Sequence, residues 1–194
     1  MKKAFVTLLF IGAVIFGFSQ EKGTSDIGAS VGVVTSNDFI NVSSDLITST
    51  VSAGTTTFSN KKETPSITLY YKNAIKDRWF FYADANYQSF SEDVYIDNLQ
   101  VGDVTNIFLT FGFGTEYHYI SGEWFQMYSG LSIAYTSQMA NYTGSSSELE
   151  DSNDGFFNFQ VNAVGLRVGK KLAGVVELGV GYKGVASAGL SFQF

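Results

Sequence analysis

The sequence predicts an all-β fold, an eight-stranded antiparallel up-and-down transmembrane β-barrel. Three observations lead to this prediction. Apolar and polar residues alternate through eight segments of about ten residues, the length that a tilted membrane strand needs. Short and long connections follow each other in turn, as is typical of membrane barrels. One face of these segments is almost uncharged, and the other carries amides, hydroxyls and Gly rather than Lys and Glu.

The composition fits one domain and excludes several kinds of site. The 194 residues contain no Cys and one His, His118, so disulfides, thiolate chemistry and a multi-histidine metal site are excluded. Charged residues make up 15% of the chain, against about 25% in an ordinary globular protein. The formal charge is −6, and it becomes −8 when Lys2 and Lys3 are removed, which argues against a nucleic-acid partner.

The first residues are predicted to be a secretory signal peptide. Lys2 and Lys3 precede the apolar run AFVTLLFIGAVIF, and Gly17 and Ser19 stand at positions −3 and −1 of a cleavage site after residue 19 or 20. We therefore assign residues 1–20 to the signal peptide and 21–194 to the barrel domain.

The eight segments follow one another with alternation at period two. They are residues 26–36, 65–73, 79–90, 105–119, 123–137, 156–168, 175–183 and 186–194. The long connections are predicted as loops, about 36–64, 91–104 and 137–155. The short turns are AIKDR, ISGE and GKKLAG, and the last connection, GVA, is also very short. Because lipid offers no hydrogen bonds, the eighth segment must pair with the first.

The alternation also predicts which side chains point inward. Phe80, Tyr82, Phe108 and Tyr128 fall on the polar face, so we expect a filled interior without a wide pore. In the seventh segment, Tyr182 falls on the apolar face with Val176, Leu178 and Val180.

Aromatic residues near the segment ends predict two interfacial belts. One lies at the short turns and the other at the long loops. The first contains Trp79, Tyr117, Tyr119, Trp124 and Phe194, and the second contains Tyr87, Tyr135 and Phe157.

Charged residues on the polar face need buried partners, which predicts an interior charge network of Lys72, Glu116, Arg167 and Glu177. Strict alternation would point Arg167 at lipid. We therefore expect a bulge near NAVG that turns Arg167 inward and leaves Val164, Leu166 and Val168 outside. Our hypothesis pairs Arg167 or Lys72 with Glu116 and Glu177, while Asp84 and Lys183 lie elsewhere on the polar face.

Two long loops are rich in carboxylates and contain no Lys or Arg. The residues are Glu92, Asp93, Asp97, Asp103, Glu148, Glu150, Asp151 and Asp154. A surface for divalent cations or a cationic ligand is one interpretation, and simple solvation of the loops is the other. DSNDG, at 151–155, resembles the start of a calcium loop but lacks the downstream Glu, so we interpret it as a turn.

Three functions remain open at this point. The first is a non-enzymatic barrel with a structural, adhesive or small-solute role, without cofactor or metal. The second is a membrane enzyme acting on lipid, for which His118 is the only conventional base, near Glu116, Ser121 and Ser129. The third is a soluble lipocalin-like barrel, which requires an apolar interior. The polar face instead carries Asn86, Gln88, Asn158, Gln160 and Asn162.

The signal peptide, the eight segments and the ending AGLSFQF resemble the small outer-membrane β-barrel proteins, the porin-family or OmpA/OmpX/OmpW-like domains. The stretch 165–194 is especially similar to Bacteroidetes members. The resemblance implies an outer-membrane location and contact with outer-membrane lipid and lipopolysaccharide. Because an eight-stranded barrel needs no partner to close, we expect a monomer. It also implies that Leu190, Phe192 and Phe194 form the signal for the barrel-assembly machinery. The chain departs from full-length OmpA-type proteins because no peptidoglycan-binding domain follows.

Overall fold

The computed structural model describes residues 22–41, 56–144 and 152–194, and in them eight antiparallel strands close into a ring. The first strand of the chain pairs with the last, Ala29 facing Leu190, so no edge is left where the ring closes. The predicted fold class is therefore confirmed. The predicted signal peptide, residues 1–20, lies outside the described residues.

The described residues contain nine strands because a short strand precedes the second member of the ring. The strands are β1 (Ser25–Val33), β2 (Thr56–Glu63), β3 (Ser66–Lys76), β4 (Trp79–Ile96), β5 (Leu99–Ser121), β6 (Phe125–Gly144), β7 (Ser152–Gly169), β8 (Leu172–Gly181) and β9 (Ala186–Gln193). The ring runs β1–β3–β4–β5–β6–β7–β8–β9, and β2 pairs with the far part of β4. In the described residues, no helix has the length and apolarity of a membrane span.

The two ends of the barrel differ in height. We call the end with connections 77–78, 122–124 and 170–171 the turn end, and the opposite end the loop end. At the loop end, β4, β5, β6 and β7 continue far beyond β1, β8 and β9. Together with β2 they form a wall, which we define as 56–63, 88–96, 99–108, 138–144 and 152–154.

The predicted loops 91–104 and 137–155 are mostly part of this wall, so those loop boundaries are wrong. β4 turns directly into β5 at Asp97 and Asn98, whose φ angles are 50° and 64°. Two consecutive residues with positive φ make the type I′ turn that suits a tight hairpin, and Asp and Asn tolerate this conformation well. The DSNDG prediction is also wrong where the structure describes it, because 152–155 opens β7 as extended strand.

The first long connection contains two elements. Residues 36–41 are helical, and β2 follows after the undescribed residues 42–55. The chain's single Pro, Pro65, separates β2 from β3. The N–H of Thr64 donates to the carbonyl of Ser89 on β4, 2.9 Å away. Pro65 has no N–H to donate, so it interrupts the pairing with β4 at the next residue.

The bulge near NAVG is present. Asn162 and Val164 face the consecutive residues Gly179 and Leu178 of β8, so Ala163 is the extra residue. The alternation changes phase there. Arg167 is buried in the interior, while Val168 is exposed on the outside.

One side-chain direction was predicted incorrectly. Tyr182 is fully buried inside the barrel, although the alternation of β8 placed it with Val176, Leu178 and Val180, which do face outward. The strand ends at Gly181, which has a φ of 142°. This left-handed conformation breaks the alternation, so Tyr182 and Lys183 both turn inward over the end of the strand.

Candidate functional site: the charged interior of the barrel

Lys72 on β3 and Glu116 on β5 form the centre of a buried charge network near the turn end. The Lys72 Nζ lies 2.8 Å from Glu116 Oε1 and 2.9 Å from Oε2. Glu177, on β8, lies 3.9 Å from the same ammonium and accepts a 2.7 Å hydrogen bond from the Tyr128 hydroxyl. Because these side chains come from separate strands, the network braces the barrel across its interior.

Three aromatic rings lie close to the Lys72 ammonium. Its Nζ lies 4.5 Å from the ring centre of Tyr70, 4.7 Å from that of Tyr128 and 5.8 Å from that of Tyr82. Such distances allow cation–π attraction, which is strongest where water is excluded. The ammonium therefore has compensation in several directions for its loss of solvent.

His118 is packed as an interior side chain between two rings. Its imidazole stacks on Phe80 at 4.4 Å and on Tyr128 at 4.8 Å. Its Nε2 lies 3.5 Å from Glu116, beyond a well-formed hydrogen bond, and neither ring nitrogen finds a hydrogen-bond partner among the described residues. Ser129, one of the serines considered as a nucleophile, donates instead to the carbonyl of Ala163.

Arg167 belongs to a different group from the one we expected. Its Nε lies 3.2 Å from Asp26 and donates to the Ser191 hydroxyl at 2.8 Å. Its Nη2 donates to the carbonyls of Lys170 and Lys171 in the following turn. The hypothesis that Arg167 pairs with Glu116 or Glu177 is therefore replaced by a pair with Asp26, which lies near the start of β1.

A third buried ion pair lies nearer the middle of the barrel. Lys183 Nζ is 2.8 Å from Asp84, and the Tyr182 hydroxyl donates to the same carboxylate at 2.8 and 2.9 Å. That hydroxyl also lies 3.0 Å from the Ser132 hydroxyl. The sequence placed Asp84 and Lys183 on the polar face but gave no reason to pair them, because the turn at Gly181 is not visible in the alternation.

The first connection returns into the barrel and closes the loop end with amides and hydroxyls. The Thr35 hydroxyl donates to the Gln88 side chain at 2.8 Å, and Asn37 donates to the same oxygen at 3.2 Å. Asn41 donates to Glu92 at 2.9 Å. We call residues 35–41 the cap. No pattern in the sequence predicts the cap, because a short helical stretch of mainly polar residues resembles an ordinary loop.

Aromatic side chains fill the interior beside the cap. Phe90 and Phe108 meet edge to face at 5.5 Å, and both are fully buried. Phe80, Tyr82 and Tyr128 are also almost completely buried, as predicted. The described side chains therefore fill the interior from the turn end to the cap.

The acidic residues of the wall do not form a purely anionic surface. β2 brings Asn60, Lys61 and Lys62 beside the hairpin, and Asn60 donates to Asp93 at 2.6 Å. This hydrogen bond lowers the pKa of Asp93, and the hydrogen bond with Asp93 raises the pKa of Asp103, which faces it across the hairpin. In the part of the chain that is described, no group of three acidic or His side chains is placed to hold a metal ion.

Leu190, Phe192 and Phe194, the predicted assembly signal, lie on the outer surface. The rings of Phe192 and Phe194 stack at 6.0 Å, and β9 joins β1 to β8. The structure thus places the three side chains on the outside, at the seam where the ring closes.

Comparison with known proteins identifies the fold alone. No family model matches the chain, and no curated protein sequence matches it. Two similar solved structures each have a TM-score of 0.50 and 12% sequence identity. One is the N-terminal β-barrel domain of Pseudomonas aeruginosa OprF, with 90% of this chain and 100% of that domain covered. The other is Ail, the attachment invasion locus protein of Yersinia pestis in complex with the heparin analogue sucrose octasulfate, with 89% and 99% covered. The chain therefore has the fold of the small outer-membrane β-barrels.

Proposed function

We propose that this chain is an integral outer-membrane β-barrel protein with a structural or adhesive role and without enzymatic activity. The observation that carries the proposal is the outer surface of a closed sheet. Large apolar side chains cover it, including Ile133 at 71% exposed, Phe111 at 67% and Leu190 at 61%. A contiguous apolar surface of this kind is unfavourable in water, whereas lipid accommodates it.

The interior supports the membrane environment over a soluble lipocalin-like barrel. A lipocalin-like barrel would bury its apolar side chains inside and expose charged ones. Here the inside holds amides, such as Asn86 and Gln160, together with ion pairs, and the outside is apolar. A sheet surrounded by lipid must leave no unpaired edge, and the ring closes through β1 and β9.

The aromatic residues predicted as belts support the same environment. All eight are exposed, from 38% for Tyr119 to 88% for Phe157. Trp79 and Tyr117 contact each other at 5.0 Å near the turn end, and Tyr135 and Phe157 at 5.9 Å on the loop side. Amphipathic rings prefer the two membrane–water interfaces, so the belts would mark the limits of the lipid-embedded zone.

A filled interior favours a structural or adhesive role over a porin-like one. A solute crossing the barrel would have to displace the cap, separate Phe90 from Phe108 and break three buried ion pairs. The best-supported role is therefore that of a sealed barrel.

An adhesive role is favoured by the wall, which would extend beyond the membrane. The solved structure of Ail contains a sulfated heparin analogue. The wall of this chain carries the half-buried Asp93 and the exposed Asp103, with the exposed Asp97 in the turn of its hairpin, beside only Lys61 and Lys62 among its described cations. If the wall binds a partner, its charge fits a cationic or neutral surface better than a sulfated glycan.

Export and assembly complete the proposal. Residues 1–20 would direct secretion, and Leu190, Phe192 and Phe194 would be recognised by the barrel-assembly machinery. The barrel would contact outer-membrane lipid and lipopolysaccharide as a monomer, since a closed ring needs no strand from a second copy.

Electrophoretic mobility tests the barrel itself. The chain from residue 21, refolded in detergent micelles, should run faster on SDS gels without boiling than after boiling. The variant Ala188→Asp, with a carboxylate at the outward part of the β1–β9 seam, should lose this difference, whereas Ser187→Ala, an inward neighbour, should retain it. Equal mobility with and without boiling for the unmodified chain would overturn the proposal.

Two further measurements test the role. Liposomes that contain the folded barrel should not swell faster in small sugars than empty liposomes, and rapid swelling would show an open pore. Phospholipid in the same liposomes should stay intact. Lipid turnover that is lost in His118→Phe, with folding retained on gels, would establish the enzyme instead.

A further inference from the structure

Basic side chains concentrate at the turn end of the barrel. Among the described residues there, five are cationic and two are acidic, so the local charge is 5 − 2 = +3 in a chain whose formal charge is −6. The cations are Lys22, Lys76, Arg78, Lys170 and Lys171, and the carboxylates are Asp77 and Glu123. Glu123 pairs with Lys170 at 2.8 Å, which leaves the other cations in excess.

The strand order places these cations on one continuous arc. Lys171 precedes β8, Lys22 precedes β1, Lys76 ends β3, and Arg78 precedes β4. In the ring the sequence of neighbours is β8–β9–β1–β3–β4. Because adjacent strands lie about 4.8 Å apart, the distance along the rim from β8 to β3 is roughly 14 Å. Lys22, Lys76 and Lys171 are exposed, and none of them forms an ion pair within the described residues.

An apolar surface lies directly beside this arc, on the outside of the same strands. Leu172 is 66% exposed and faces Phe192 across β8 and β9, and Phe192 in turn faces Ile27 of β1. Ile75, next to Lys76, is 50% exposed. Cationic groups therefore lie at the rim, and a continuous apolar surface extends from them along the barrel wall.

We propose that this rim is a binding site for anionic phospholipid. The lipid phosphate would lie among Lys22, Lys76 and Lys171, and the acyl chains would lie against Leu172 and Phe192. The inference rests on the proposed function, since it requires the apolar outside to face lipid. The opposite end is unsuited to such headgroups because its exposed charges are mainly carboxylates. The barrel would thus bind anionic phospholipids in the leaflet that surrounds its turn end, and not in the leaflet at its loop end.

Native mass spectrometry of lipid binding tests the proposal. The barrel, folded in neutral detergent micelles, is titrated with phosphatidylglycerol or phosphatidylcholine at low and high salt. We expect tighter binding of phosphatidylglycerol, weakened by salt. Each cation near an anionic headgroup contributes about fivefold to the affinity, so the variant Lys76→Gln/Lys171→Gln should bind phosphatidylglycerol about 25-fold more weakly. Its affinity for phosphatidylcholine should be unchanged. The matched control Lys61→Gln/Lys62→Gln, at the loop end, should leave both affinities unchanged.

Several outcomes would overturn the inference without affecting the barrel. These are equal affinity for the two lipids, an equal loss in the control variant, or inorganic phosphate that binds as tightly as phosphatidylglycerol. If an acidic peptide binds as tightly as phosphatidylglycerol and with the same dependence on salt, the rim would be assigned to a protein partner instead. Each variant is first checked for heat-dependent gel mobility. Failure of the unmodified chain in that check would count against the proposed function rather than against the rim alone.

Discussion

Replacement of Lys72 by Met should be among the most destabilising single changes in the barrel. The substitution leaves Glu116 and Glu177 buried without their shared cation, and the side chains of Lys72 and Glu116 are only 6% and 0% exposed. Loss of one partner from a buried ion pair costs about 3–5 kcal/mol. Three aromatic rings lose their cation as well, so we expect a value near the upper end of that range.

The complementary change should cost less because the network is asymmetric. Glu116→Gln leaves the Lys72 ammonium with Glu177 at 3.9 Å, which can move closer, and with an amide oxygen in place of the lost carboxylate. We expect a loss of about 1–3 kcal/mol, the range for weakening a charge-assisted hydrogen bond. We therefore expect the unmodified chain to be the most stable, Glu116→Gln to be less stable, and Lys72→Met to be the least stable.

Urea unfolding in phospholipid vesicles measures these differences. Trp79 and Trp124 are the chain's two tryptophans, and their fluorescence should report loss of the lipid contact. Lys170→Met serves as a matched control. The Lys170–Glu123 pair also spans 2.8 Å, but its side chains are 50% and 67% exposed, so its loss should cost less than about 1 kcal/mol.

Two results would refute this reasoning. One is a Lys72→Met variant as stable as Lys170→Met, which would show that the buried contacts contribute no more than a solvated pair. The other is a larger loss for Glu116→Gln than for Lys72→Met, which would show that the lysine is not the shared partner.

Three further predictions follow from features of the interior and the wall. Tyr182→Phe removes the hydroxyl that donates to Asp84, so the urea midpoint of the variant should fall by the equivalent of about 1–3 kcal/mol. An unchanged midpoint would contradict the hydrogen bond. Deletion of Ala163 should remove the bulge and leave Arg167 inside, because the outward Val164 would then follow the inward Asn162 directly, so the heat-modifiable band should be retained, whereas loss of that band would contradict Ala163 as the extra residue. Carboxyl-carbon NMR titration should give Asp103 a pKa above, and Asp93 a pKa below, that of an isolated Asp, so over the interval between the two midpoints the pair holds one proton on Asp103. Coincident midpoints would show that the two carboxylates do not interact.

The ring could be predicted from the sequence because lipid imposes a simple rule on each strand. Alternation at period two identified all eight members, and the exclusion of Arg from lipid was sufficient to predict the bulge before Arg167. The exclusion of charge from lipid depends only on which face a residue occupies. It gives no information on which inward residues meet, since partners such as Asp26 and Arg167 lie far apart in sequence and come together through strand tilt and register.

The parts that the sequence did not reveal are those outside the lipid rule. Strands of the wall are not selected for an apolar face, so 91–96 and 99–104 resembled acidic loops. The direction of Tyr182 depended on one backbone angle at Gly181. The cap, residues 35–41, is stabilised by amides whose partners lie on other strands, which no local pattern indicates.

The unequal strand lengths determine where the ring can be torn open. β1, β8 and β9 have 9, 10 and 8 residues, whereas β5 and β6 have 23 and 20. Opening a ring requires one whole ladder to break, and backbone groups freed in lipid find no replacement partner. The shortest ladder of the ring joins β8 to β9 with seven residue pairs, so the easiest rupture runs between these two strands. Amide hydrogen exchange should be fastest at this ladder. A pulling force on the barrel should separate these strands first, while the β5–β6 hairpin stays intact.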